Sequence, residues 1–209
     1  MGDFATILAA PGVVETCELR GPIGVMAYHG GNLEWMTDVI AARVAAATDA
    51  SLYTVTQPPP RREHLASTRG DPAESDAMAA FVDHVDIVVT VHGFGRRGMF
   101  SSLLLGGRNR MFAEHIGGHL RCVLPAYDIV TDIESIPTKL RGLHDRNPVN
   151  LPPQCGVQIE LPPRVRGSSP LWWDWEGPEL CPHTESLIAG LSAAVSAWPD
   201  RAAGDGEQP

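Results

Sequence analysis

Two apolar runs in this chain end alike. Ile23-Gly24-Val25-Met26-Ala27-Tyr28 leads into His29-Gly30-Gly31, and Asp86-Ile87-Val88-Val89-Thr90-Val91 leads into His92-Gly93. If both runs are strands of one open α/β sheet, the two histidines arrive at its carboxyl edge, where ligands gather. The glycines that follow allow a sharp turn and leave room for a metal or a substrate. Glu34 comes five residues after His29, where the loop is expected to enter a helix, so a strand-end imidazole and a first-turn carboxylate can converge. Two imidazoles and one carboxylate make a three-ligand zinc set whose fourth position stays open to water, as in catalytic sites. The same residues also read without a metal. A strand-end histidine is commonly structural, and an acid at a helix N-terminus is favoured by the dipole. Spacing leaves both readings open.

Glu160 adds a fourth group. In Gly156-Val157-Gln158-Ile159-Glu160-Leu161 the apolar side chains share one face and Gln158 and Glu160 the other. A carboxylate within a strand covered on both faces is costly unless it meets a cleft or a partner. A cleft-facing Glu160 could act as a general base toward water, and the alternative is an edge strand with a solvated polar face. Arg96, Arg97, Arg108 and Arg110 follow the second histidine. Arginine suits carboxylate recognition and the stabilisation of an oxyanion, and Arg97 and Arg108 are taken as candidates for those roles. Solvated surface arginine is the competing reading for each.

The elements that must position these groups alternate. Strands are expected at 23–28, 51–56, 86–91, 102–105, 121–124 and 157–161, and helices at 34–48, 72–84, 109–120 and 183–198. This alternation implies a three-layer α/β/α sandwich around a mixed, mostly parallel sheet. Residues 1–199 are read as one catalytic domain, and the small, polar, Gly/Pro-containing stretch 200–209 as a disordered tail.

The chain has 209 residues and a formal net charge of -9, from 16 Lys+Arg against 25 Asp+Glu. Such a balance argues against sequence-independent nucleic-acid binding but leaves room for a locally basic pocket that takes an anionic substrate. No apolar stretch approaches the roughly 20 residues of a membrane span, and no basic leader precedes the first apolar run, so a cytoplasmic protein without a membrane partner is expected. Cys17, Cys122, Cys155 and Cys181 are widely spaced and form no C-x-x-C pair, which points to free thiols and leaves any metal to histidine and carboxylate. Leu171-Trp172-Trp173-Asp174-Trp175 reads as core packing first and a homo-oligomer contact second.

Taken in order, these motifs resemble the poly-γ-glutamate hydrolase family of phages and bacteria, within the wider zinc carboxypeptidase-like group. The resemblance runs from about Gly21 to Trp198. It rests on His29-Gly30-Gly31-Asn32-Leu33-Glu34, Ser51-Leu52-Tyr53, the looser His64-Leu65-Ala66-Ser67-Thr68, Val91-His92-Gly93, Leu105-Gly106-Gly107, and Gly156 to Leu161 with Arg164 or Arg166 beyond. It implies Zn²⁺ on His29, Glu34 and His92, Glu160 as general base, and hydrolysis of an amide with a nearby carboxylate, in a γ-glutamyl polymer or a small molecule. The alternatives are an N-acyl-amino-acid amidohydrolase or deacylase of the same fold and a non-catalytic binding domain. The arginine that polarises the carbonyl in carboxypeptidases precedes their last zinc histidine, so Arg97 and Arg108 do not inherit its role by position.

Overall fold

The computed structural model describes residues 3–168, 175–177 and 179–199. The expected tail at 200–209 and the tryptophans Trp172 and Trp173 lie outside the described residues. Among those described, seven strands form one sheet: β1 (Val14–Glu18), β2 (Gly21–Gly31), β3 (Ala50–Gln57), β4 (Ile87–Gly93), β5 (Ser102–Leu105), β6 (Asp128–Val130) and β7 (Gly156–Leu161). Their spatial order is β1-β3-β2-β4-β7-β5-β6. The central strands β3, β2, β4 and β7 are parallel, β1 and β5 join antiparallel, and β6 runs parallel to β5. The sheet is thus mixed and mostly parallel at its centre.

Helices α2 (Thr37–Thr48), α4 (Arg110–Val123) and α5 (Pro182–Ala197) share one large apolar core with Val25, Val89, Val91, Leu103, Leu105, Val157, Ile159 and Leu161. The opposite face carries Met26, Tyr28, Tyr53 and Val88, packed by α1 (Phe4–Leu8) and α3 (Asp76–His84). These two cores explain the near-continuous apolar runs of β2 and β4, because strands covered on both faces need no polar side.

Two expectations change, and one alternative falls. Residues 121–124 are not a strand: α4 continues through Val123, and the strand comes later, at β6. Glu34 is not in the first turn of a helix, since α2 begins at Thr37. It sits instead in a tight turn after β2, where its backbone N–H donates to the His29 carbonyl at 2.9 Å. Strand β7 is not an edge strand, because it lies between β4 and β5. The solvated-face reading of Glu160 falls with that. Both α1 and β1 were missed, since Pro11 and Gly12 interrupt the only apolar run there.

Candidate active site

His29, His92 and Glu160 come from the carboxyl ends of the adjacent strands β2, β4 and β7, and His92 is register partner of Glu160. Strict alternation would put Tyr28 and His29 on opposite faces of β2. The register of β2 against β3 shifts between Ala27 and Gly30, and such irregularities re-aim side chains. Both rings therefore stand beside His92, with centroids 4.9 Å (Tyr28) and 5.0 Å (His29) away. Gly31, at φ +67, makes the following turn possible; a Cβ there would sit 2.4 Å from the Gln57 carbonyl oxygen.

Glu34 is the hub. One carboxylate oxygen lies 3.1 Å from His29 Nδ1, and the other lies 3.3 Å from His92 Nδ1 and accepts the Gly93 N–H at 2.8 Å. The outer nitrogens are occupied. His29 Nε2 faces the Leu65 carbonyl at 2.9 Å and His92 Nε2 faces the Tyr28 hydroxyl at 3.1 Å. A carbonyl only accepts, so His29 carries its proton on Nε2, and a neutral ring then points its Nδ1 lone pair at Glu34. Two acceptors 3.1 Å apart repel unless a cation or a further proton lies between them.

The donor set fits a zinc ion. Imidazole and carboxylate are its ligands, bonds of about 2.0–2.1 Å place tetrahedral ligands about 3.3 Å apart, and outer N–H groups held by acceptors are the usual support for metal-bound histidine. His64 is a further donor at this point. It is exposed, its ring centroid lies 5.0 Å from that of His29, and its donor atom lies with those of His29 and Glu34 within 4.8 Å of one another, a grouping that does not include His92.

The electrostatics follow from burial. Burial raises the Glu34 carboxyl, but His29 and His92 in their protonated forms, with a positive charge and an Nδ1–H turned to it, outweigh burial and hold the group below the usual carboxylate range. Burial lowers His92, yet Glu34 beside it keeps the imidazole above its ordinary value. Glu160 is 5% exposed, and burial, with Glu34 adding repulsion, pushes it up to about 7 against the pull of His92, the Gln158 amide and Arg166. An acid–base group with that value is poised for proton transfer near neutrality.

These groups open into a cleft of about 940 Å³, whose walls include Leu33, His64, Phe94, Lys139, Arg141 and His144. A side lobe of about 450 Å³ continues past Phe94 toward Arg96 and Lys139. The structure therefore unites His29, Glu34, His92 and Glu160. It does not bring Arg97 or Arg108 to them. Arg97 is exposed in the loop after β4, and Arg108 pairs with Asp145 and donates to the Leu143 carbonyl at the surface. The cleft's cations come instead from the segment around the helical turn Thr138–Leu140, which carried no sequence signal.

Sequence reasoning also missed Arg166 as a support. It is 7% exposed and donates to the carbonyls of Leu161 (3.1 Å) and Trp35 (2.6 Å), tying the end of β7 to the Glu34 turn. Its guanidinium fills the space that a Cβ at Gly93 would need, with the central carbon 2.7 Å away.

An α/β sheet with two histidines and two carboxylates gathered at its carboxyl edge defines a hydrolase-like site. Residues 9–169 match the family described as poly-γ-glutamate hydrolase, and the chain belongs to that family and is a hydrolase. The reading as a non-catalytic binding domain is thereby set aside. The fold is shared with the structure of a bacteriophage poly-γ-glutamate hydrolase, at 19% identity and TM-score 0.72 over 87% of each chain. It is shared also with the zinc-free apo form of YNDL, at 17% identity and TM-score 0.63 over 86% of this chain and 89% of that one. No curated protein matches the chain. Among the described residues no helix is long and apolar enough to cross a membrane.

Proposed function

We propose that the enzyme hydrolyses an amide bond of the γ-glutamyl type, in poly-γ-glutamate or its oligomers, with zinc on His29, Glu34 and His92 and Glu160 as general base. The observation that carries this reading is Glu34 spanning the inward nitrogens of two histidines whose outer nitrogens are already hydrogen-bonded. The zinc-free form named for one structural neighbour, and the polymer named for the family, point the same way.

Zinc when bound polarises an amide carbonyl and lowers the pKa of its water to about 7. Glu160, held in the low-dielectric wall of the cleft, takes the proton of the attacking water and returns it to the leaving nitrogen. Gln158 donates to one oxygen of Glu160 at 2.8 Å and so fixes the carboxylate. Lys139 and Arg141 line the cleft and favour the substrate's free carboxylates. The volume of the cleft and its basic side lobe favour an extended chain over a small N-acyl amino acid.

Elemental analysis of wild type, His29→Ala, His92→Ala and His64→Ala tests the ligand set. About one zinc per chain should be lost in the first two variants and kept in His64→Ala. Loss in His64→Ala with retention in His92→Ala would exchange the third ligand. Glu160→Gln should keep zinc and lose turnover on γ-glutamyl oligomers, and an active variant would remove Glu160 as the base. Faster cleavage of long oligomers than of N-acyl glutamate separates the polymer reading from the deacylase one.

A further inference from the structure

Behind the site runs a buried line of hydrogen bonds that joins Glu160 to His92 without passing through Glu34. Gln158 donates from its amide nitrogen to Glu160 (2.8 Å), and its amide oxygen accepts from Asn147 Nδ2 (2.8 Å). Asn147 Oδ1 accepts from the Tyr28 hydroxyl (3.4 Å), and the Tyr28 oxygen meets His92 Nε2 (3.1 Å). Asn147, Gln158, Tyr28 and His92 are all buried.

The orientation of both amides is anchored by the backbone. The Gln158 amide nitrogen also faces the Leu140 carbonyl at 3.4 Å, and a carbonyl only accepts. The Asn147 oxygen also accepts the Val149 N–H at 3.3 Å. Neither amide can therefore be turned over without leaving a buried donor facing a donor, or an acceptor facing an acceptor. With the Tyr28 proton turned to the Asn147 oxygen, the phenol oxygen accepts, and His92 carries its proton on Nε2. The Ser67 hydroxyl, the other polar group beside the phenol, leaves this direction unchanged when it donates.

We infer, on the assignment of Glu160 and His92 proposed above, that Asn147 is a positioning residue that sets proton direction at both ends of this line. Toward Gln158 it acts as a donor, which keeps an N–H on the Glu160 carboxylate. Toward Tyr28 it acts as an acceptor, which keeps the Nδ1 lone pair of His92 facing Glu34 and free for a metal. Asn147 precedes the helical turn Pro148–Asn150 and its side chain also caps the Val149 N–H there, so the loop before β7 supports both the acid–base group and the metal ligand. Asparagine suits the post because it offers one donor edge and one acceptor edge without charge.

The test uses the full chain, with Asn147→Leu as the main variant and Asn147→Ala as a second should the first not fold. Tyr28→Phe and Gln158→Met cut one arm each. Zinc affinity is read by chelator competition, kcat at saturating zinc on a γ-glutamyl oligomer, and the His92 tautomer by ¹⁵N NMR of the zinc-free protein at a pH where the ring is neutral. Tyr28→Phe should weaken zinc by about 10–100-fold, and Gln158→Met should lower kcat about as much with zinc affinity unchanged. Asn147→Leu should show both losses and should move His92 toward the Nδ1–H form, since Tyr28 can then turn its proton to Nε2. Wild-type zinc affinity and kcat in the Asn147 variants would overturn the inference. So would losses with the His92 tautomer unchanged, which would reduce Asn147 to packing. A wild type that binds no zinc, or an active Glu160→Gln enzyme, would instead overturn the proposed function, while the tautomer experiment would still read the Tyr28 arm.

Discussion

Glu160 is held where its ionised form is disfavoured, and that has a consequence for stability as well as chemistry. Its carboxyl is raised from 4.5 to about 7 in the folded protein, so the folded state holds a proton that the unfolded chain releases. The zinc-free protein therefore loses stability as pH rises from about 4.5 to 7. His92, also raised, adds a loss in the same direction above its ordinary value. Glu34 is lowered, so its contribution is present above pH 4.5 and is lost as pH falls below that. Zinc-free protein should be most stable in mildly acidic solution. Glu160→Gln should raise the stability of that form at pH 8 by about 1–3 kcal/mol and leave it nearly unchanged at pH 4, while turnover is lost. Denaturant melts at the two pH values check this, and an equal effect at both would mean that Glu160 is not a buried acid. The proposed base must be ionised in the active enzyme, so kcat/KM should fall on the acid side through the Glu160 pKa, which a bound cation draws below 7.

Among the supporting elements, the Glu34 turn depends on a side chain from another strand end. Arg166 satisfies the Trp35 and Leu161 carbonyls, and its guanidinium fills the space beside Gly93. Arg166→Met keeps the stem but strands both carbonyls, which should cost about 2–4 kcal/mol and weaken zinc binding by loosening the turn that carries Glu34. Unfolding curves of the zinc-free protein and zinc titrations report the two effects separately. Gly93→Ala forces the guanidinium aside and should resemble Arg166→Met. If Arg166→Met alters stability but leaves zinc affinity untouched, the arginine holds the fold and not the site.

The whole molecule is acidic, yet the cleft and its side lobe carry Arg96, Lys139 and Arg141. Such a local field acts on an anionic chain through encounter and binding more than through the chemical step. Arg96→Ala and Lys139→Ala should raise KM for γ-glutamyl oligomers several-fold with kcat little changed, and the difference from wild type should shrink at high salt. Kinetics at low and high ionic strength decide it. The proposed zinc site should also make thermal stability depend on the metal. At zinc about 1,000-fold above its Kd the gain is about 4 kcal/mol, or a Tm rise on the order of 10 °C for a chain of this size. Calorimetry with and without added zinc measures that rise.

How much of this was legible in the residues depends on the range of the interaction that carries it. The strands β2, β4 and β7 could be read because strands buried on both faces are written as local apolar runs, and their His-Gly endings marked the edge where ligands collect. The polar face of Gln158 and Glu160 within β7 was visible for the same reason, since alternation is local. The helix expected at 34–48 begins only at Thr37, because a helix pattern does not reveal a tight turn closed by the His29 carbonyl. The strand order, the register shift that brings His29 round to His92, and the side-by-side pairing of His92 with Glu160 came only from the folded sheet. So did Asn147 and Lys139, and the supporting role of Arg166, because the segments that carry them have no period. The residue types and their strand-end spacing fixed the available chemistry; long-range backbone pairing, which no local pattern encodes, decided which of those residues meet and which arginines stay outside.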